Sequence, residues 1–395
     1  MSAARARLHA RADAAWRSPL AVVAGSEDHA GPDPRLLHHR TRGHFWETLA
    51  RLRVTLLVTR EYEHLVVALH ANRTGPRVSY LPMPHPSGIA VDPARRIVHV
   101  ASTRNPNQIY DLAAAIAAPP AVGARPAPLP HRPLVPIRTR FLPGGTYVHD
   151  LAMIGGRLHA NAVGRNAVVR ISDDGRATVV WWPRCVERRR GPILERNHLQ
   201  LNSIAAGRSV RASYFSASTD VVSARRPGHR DFPVDGRGVI FSGATREPVV
   251  RGLTRPHSAR LRDRTIWVDN SGYGEVGFCE EDHFVPVARP GGWTRGLAFH
   301  GDVAFVGTSR LLTRFRRYAP GLDPRRCACG VHALDVRSGR ILGSLVWPYG
   351  NQVFAVEALP ESWSRGLPCA VGRRRGSEDG LFYGFVAEYE GGHTR

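Results

Sequence analysis

His257-Ser258-Ala259-Arg260-Leu261, then Arg262-Asp263-Arg264, then Thr265-Ile266-Trp267-Val268-Asp269-Asn270 is the stretch on which the fold turns. The first five residues read as a short strand and the next three as a tight turn. The last six alternate apolar and polar residues as a second strand. Ser271–Gly274 reads as another turn, Glu275–Phe278 as a third strand and His283–Ala288 as a fourth. Period-2 alternation between Gly, Asp and Asn punctuation is the signal of short antiparallel strands.

The opening phrase of this unit returns along the chain. Copies are Ser87-Gly88-Ile89-Ala90, His149-Asp150-Leu151-Ala152, Asn202-Ser203-Ile204-Ala205, His257-Ser258-Ala259-Arg260, Arg295-Gly296-Leu297-Ala298 and, most degraded, Phe354-Ala355-Val356-Glu357. A variable, usually polar residue is followed by a short one and then an apolar pair. Second positions recur at intervals of 62, 53, 55, 38 and 59 residues. Repeats of about 40–50 residues with several strands each predict a β-propeller. Six copies predict six blades in an all-β fold.

The chain ends complete one another. Thr55–Val58 and Leu65–Leu69 resemble the second and third strands of a blade with no inner strand before them. Val353–Ala358 resembles an inner strand with no blade after it. Joined, they predict a ring closed by a C-terminal inner strand and N-terminal outer strands, which leaves no sheet edge at the seam. The expected organisation is an N-terminal extension over 1–44, partly helical or disordered, and a single propeller over 45–395. A helical turn is expected within 41–51. Loop insertions are expected near 113–136, 184–198, 223–236, 316–326 and 361–380. The first of these is Ala- and Pro-rich and reads as a surface excursion that joins no central strand.

Bulk composition narrows the function less than its numbers suggest. Net charge is +22 over 395 residues, yet all 55 basic residues are arginine and none is lysine. The arginines are scattered, so the charge reads as compositional drift and not as a phosphate-binding surface, and nucleic acid is not the expected partner. Five cysteines make no paired ligand set and suit a reducing compartment. The apolar run Leu20–Ala24 is too short for a signal-peptide core, and no stretch approaches the length of a membrane span. The expectation is a cytoplasmic protein off the membrane. With no lysine there is neither a phosphate-cradling Gly-Lys-Ser/Thr loop nor Schiff-base chemistry. No Gly-x-Ser-x-Gly elbow and no His-Glu-x-x-His occur.

Inner strands of a propeller run along one axis, so the first positions of the repeats are expected to ring one channel mouth. They are Ser87, His149, Asn202, His257 and Arg295, with Gln352 near the sixth start. Three readings of this ring stand side by side. His149 and His257, with Asn202 or a water, hold one divalent metal ion, with Asp150 and Asp269 behind them. Alternatively the ring binds a small anionic or carbonyl-bearing molecule. Arg295 is then the fork and His149 and His257 are acid or base. Ser87, Asp150, Asn202 and Gln352 would supply hydrogen bonds. In the third reading the channel is polar and filled with water. Asp150 either orients His149 or bonds neighbouring backbone. Asn161 and Asn166 read as turn residues.

Arg255-Pro256-His257-Ser258, Ser271-Gly272-Tyr273-Gly274-Glu275 and Trp293-Thr294-Arg295-Gly296-Leu297-Ala298-Phe299 resemble a bacterial family of conserved hypothetical proteins, from about Arg42 to Pro360. That resemblance implies a propeller-like domain and brings no settled activity. Asn202-Ser203 also resembles the Asn-Gly metal-ligand phrase of the gluconolactonase and senescence-marker superfamily, which implies six blades and a metal at the mouth. His149, His257 and Arg295 depart from that pattern, and a cation at position 295 counts against calcium-dependent lactone hydrolysis. The favoured reading is a propeller binding a small polar, carboxylate- or carbonyl-bearing molecule at its mouth. Any catalysis would be hydrolase- or lyase-like. The alternative is a non-catalytic scaffold for a protein partner.

Overall fold

In the computed structural model, which describes residues 7, 32–104, 107–118, 127–143, 145–371 and 386–387, the stretch from Pro256 to Ala288 forms one sheet. Its strands are Pro256–Arg262, Thr265–Asn270, Glu275–Glu280 and His283–Ala288, each antiparallel to the next. Three further sheets repeat this plan. They start at the inner strands Pro86–Asp92, Val148–Ile154 and Leu201–Ala205. A fifth, opened by Trp293–His300, adds an extra outer strand.

The remaining sheet is composite. Ala355–Pro360 is its inner strand and pairs with Val54–Arg60, followed by Leu65–Asn72 and Gly75–Pro82. Each inner strand lies against the next, and the last returns to the first, so the chain is a six-bladed β-propeller closed across its own ends. Blades are numbered from this composite sheet, so those opening at Pro86, Val148, Leu201, Pro256 and Trp293 are the second to the sixth.

Apolar side chains fill the spaces between blades. Ala101 and Ile109 of the second blade meet Leu151 and Val169 of the third, and Trp267 and Val276 of the fifth meet Leu297 and Val306 of the sixth. The core is therefore a set of wedges around the axis.

The short residue at position two of the repeat has a physical cause. Inner strands have no hydrogen-bonding neighbour on the channel side, and this side chain reaches the backbone of the next blade. Asp150 accepts from the Ile204 amide at 3.0 Å, Ser203 from Ala259 at 2.8 Å and Ser258 from Gly296 at 2.7 Å. At Gly88 the next inner strand comes so close that a Cβ would stand 2.5 Å from the Asp150 Cα. Only glycine fits there.

Two expectations change. Arg40–Gly43 is a strand, fully exposed, antiparallel to the outer strand Ile341–Val346 of the sixth blade. The chain thus joins the sheets at Arg40, ahead of the boundary expected at 44/45, and the helix starts only at Phe45 and runs to Leu52. Its amphipathic face buries Phe45 and Leu49. Second, the Ala-rich segment after 113 does not leave the sheet. Gln108–Ala118 is one strand, and Ala113 and Ala114 pair with Val135 and Leu134. Alanine has low strand propensity, but burial between two neighbours overrides it. Residues 119–126 and 372–380 of the expected insertions lie outside the described residues. In the N-terminal unit, Asp33 caps a single turn, Pro34–Leu37.

Candidate functional site

Every inner strand starts at the same face of the ring. Antiparallel order then places two kinds of connection at that face: from second to third strand, and from outer strand to the next inner strand. The segments 184–198, 223–236 and 316–326 are all of these kinds, so three insertions gather over one mouth. They are tied together there. Arg317 Nη2 donates to the Gly228 carbonyl at 3.0 Å, and the Gly321 amide donates to the Gly272 carbonyl at 3.1 Å. Tyr273 donates to Asp235 at 3.0 Å.

Local backbone explains how the mouth residues are aimed. His85, Tyr147, Gln200 and Arg255 stand two residues before position one in four blades, and all have positive φ, between 42° and 54°. Just beyond, pairing slips a register in all five of the intact blades, as between His257 and Arg260. Such bulges turn a side chain out of the regular alternation. The backbone amides they release need partners, and Asn161 on the second strand of its blade supplies one. Its Oδ1 accepts from the amides of His149, at 3.1 Å, and Asp150. Asn161 is thus a strand residue and not a turn residue. Asn166 does occupy a left-handed turn position, and its side chain holds the backbone of 193–199.

His149, Asn202, His257, Arg295 and Gln352 come together. Arg295 lies flat over the Phe354 ring, 3.3 Å from its centroid, and His149 meets that ring edge-on at 5.4 Å. With its amide oriented to suit both neighbours, Gln352 accepts from Arg295 Nη1 at 3.0 Å and donates to Glu61 at 2.9 Å. Asn202 Nδ2 bonds the Pro256 carbonyl at 2.9 Å and the Ser218 hydroxyl at 3.2 Å, and its side chain also faces His149. Burial, followed by the Arg295 charge, holds His149 well below the usual imidazole range. Burial and then Arg295, His149 and Arg255 do the same to His257. Both rings are neutral at pH 7. The His257 Nδ1 lies 2.9 Å from the Arg255 carbonyl, which can only accept, so Nδ1 carries the proton and Nε2 keeps its lone pair.

Ser87 and Asp150 are elsewhere employed. The Ser87 hydroxyl sits 3.2 Å from the carbonyls of both Ala101 and Val148 and binds two blades together. Asp150 holds backbone and Arg260, not His149. Asp269, opposite His257 in the sheet, is buried beside the Ser258 hydroxyl, and burial pushes its carboxyl up to about 8. Among the described residues no three His, Cys, Asp or Glu side chains are grouped to hold a metal ion.

Arg255 escapes a reading that starts the repeat at position one. It is 7% exposed, its guanidinium stacks on Tyr318 at 4.1 Å and faces Phe232 at 5.7 Å, both on the insertions. One nitrogen reaches the Ser218 hydroxyl at 3.3 Å and the Tyr318 side chain also bonds the guanidinium, while Nε and Nη2 make no hydrogen bond of ordinary geometry. No carboxylate among the described residues forms an ion pair with it. Burial draws it down to about 10, which still leaves it charged at neutral pH. The signal that would have found it is the left-handed position shared with His85, Tyr147 and Gln200.

The chain belongs to the family described as a domain of unknown function, DUF4915, whose pattern matches residues 43–365. No curated protein is similar to it in sequence. Among solved structures it is similar to a protein of unknown function from Bacteroides caccae, at 10% identity over 78% of this chain and 99% of that one, with a TM-score of 0.47. It is also similar to a gluconolactonase from Xanthomonas campestris, at 16% identity, 67% and 77% coverage and a TM-score of 0.41. A virginiamycin B lyase from Staphylococcus aureus shares 13% identity over 73% and 76%, with a TM-score of 0.39. At these scores none of them bears on what this chain binds.

Proposed function

We propose that the mouth binds a small anion, its carboxylate gripped between Arg255 and Arg295. The observation that carries this reading is Arg255, a buried guanidinium with two unpaired nitrogens and no carboxylate against it. Burying an unpaired charge costs several kcal/mol, of order 3 or more. A bound anion offsets that cost, and the guanidinium fork suits a planar carboxylate. The same charges argue against the divalent metal expected of His149, Asn202 and His257. Two guanidiniums beside two imidazoles and an amide repel a cation, and the carboxylate bonded to this group, Glu61, is already taken up by Arg104 and Gln352.

His257 adds a second capacity. Its Nε2 lone pair belongs to a neutral imidazole whose basicity burial and two neighbouring cations lower, and a carboxylate bound between those cations would raise it again so that the ring can take a proton. Proton abstraction next to a carboxylate would leave charge that Arg295 stabilises. This is consistent with a lyase-like reaction.

Calorimetric titration of the wild-type protein and of Arg255→Gln with simple carboxylates tests the binding. Saturable binding to wild type, absent in the variant, supports the reading. Equal binding by both, or by neither, overturns it.

A further inference from the structure

We infer that the anion taken by this mouth has a flat aromatic body, making the ligand an aryl carboxylate. The inference rests on the anion reading above and adds the class of molecule. Aromatic rings wall the guanidiniums. Phe354 lies beneath Arg295, Tyr147 meets His149 edge-on at 4.8 Å, and Tyr318 covers Arg255. Trp293 stands perpendicular to His257 at 6.3 Å and packs on Phe315 at 5.4 Å, and Phe315 stacks parallel on Tyr62.

Packing of the insertion accounts for part of this cluster, since Trp293 also meets Leu311, Ala319 and Cys327. It does not account for the indole N–H. Trp293 is 7% exposed and its Nε1 has no partner, as is also true of Trp181 and Trp347, but of these three it is Trp293 that stands against His257 at the mouth. With Arg255 Nε and Nη2 and Arg295 Nη2, it makes four buried donors awaiting acceptors within an apolar wall. A carboxylate supplies four lone-pair sites, and an attached aromatic ring suits the rings around it.

Other anions fit less well. Inorganic phosphate would leave the aromatic surface without a partner. A sugar acid would set its hydroxyl groups against Phe354, Trp293 and Phe315, whose rings carry no acceptor for them. An amino acid's ammonium needs a charged carboxylate, but Glu61 is engaged by Arg104 and Gln352, and burial keeps Asp269 protonated below about pH 8.

The test is titration of the full chain with benzoate, acetate and inorganic phosphate, by calorimetry and by tryptophan fluorescence. Benzoate is expected to bind about tenfold or more tighter than acetate, as burial of one ring implies. Its fluorescence response should vanish in Trp293→Phe. Phe315→Leu should bring the benzoate-to-acetate ratio toward one and leave acetate affinity unchanged, with a thermal melt confirming the fold. Trp293→Phe is the milder variant should Phe315→Leu melt early. Equal affinities for benzoate and acetate, tightest binding of phosphate, or a ratio untouched by both variants overturns the aromatic class while the anion site stands. If wild type binds none of the three, the anion reading falls and this inference with it.

Discussion

Arg260, on the inner strand of the fifth blade, donates from Nη1 to Oδ2 of Asp150 on the inner strand of the third, 2.9 Å away. The pair reaches past the fourth blade, whose Ile204 amide shares the same oxygen. One carboxylate therefore joins three of six blades below the mouth. Asp150→Ala should cost about 3–5 kcal/mol, because it strands a buried guanidinium. Asp150→Ala with Arg260→Met should cost less than Asp150→Ala alone. Chemical denaturation gives both values, and additive losses would show that the two groups do not act as a pair.

Arg255 sets stability against binding. Arg255→Met removes an unpaired buried charge and should raise the stability of the ligand-free protein by about 1–3 kcal/mol. The same change should end stabilisation by carboxylates. Melting curves with and without ligand measure both effects, and a destabilised ligand-free variant would mean that the guanidinium is satisfied in solution.

Asp269 fixes the sign of one pH effect. Its carboxyl is raised to about 8 in the folded protein, against 3.8 when unperturbed, because burial disfavours the anion. Between those values the folded state holds a proton that the unfolded state has released. Stability from this group is thus complete below about pH 4 and is lost as pH rises toward 8. In Asp269→Asn the decline over that window should flatten, as melts at pH 5, 7 and 9 would show. An unchanged slope would place the titrating group elsewhere.

Gly88→Ala tests the contact between neighbouring inner strands. A Cβ there meets backbone at 2.5 Å, which no rotamer can relieve, so a loss of about 3 kcal/mol is expected. Gly145, where an added methyl would meet nothing within 4 Å, serves as the near-neutral control. Equal stability of the two alanine variants would contradict the close approach.

Much of the ring could be read from the sequence because position two is constrained by backbone geometry. Asp150, Ser203 and Ser258 differ in chemistry but do one task, accepting a hydrogen bond from the next blade, so a short residue recurs there. Arg40–Gly43 could not be read in this way. Its four residues are exposed and lack alternation, and the segment is a strand because Ile341–Val346 offers an open edge. In the site, position one led to His149, His257, Asn202, Arg295 and Gln352. It led also to Ser87, whose hydroxyl serves two carbonyls. Arg255 and Tyr147 share a recurring position two residues ahead of the repeat, whereas Phe315 and Tyr318 lie on an insertion, where no period marks them.

The composite blade ties folding to the order of synthesis. Residues 54–82 are made well before their inner strand, Ala355–Pro360, which follows the five other blades in the chain. Until then Val54–Arg60 has an open edge, a target for wrong pairing with other nascent chains. A rearranged gene that places 355–360 and a short turn directly before Val54 would make that sheet as one hairpin series. It should give more soluble protein per cell than the natural order.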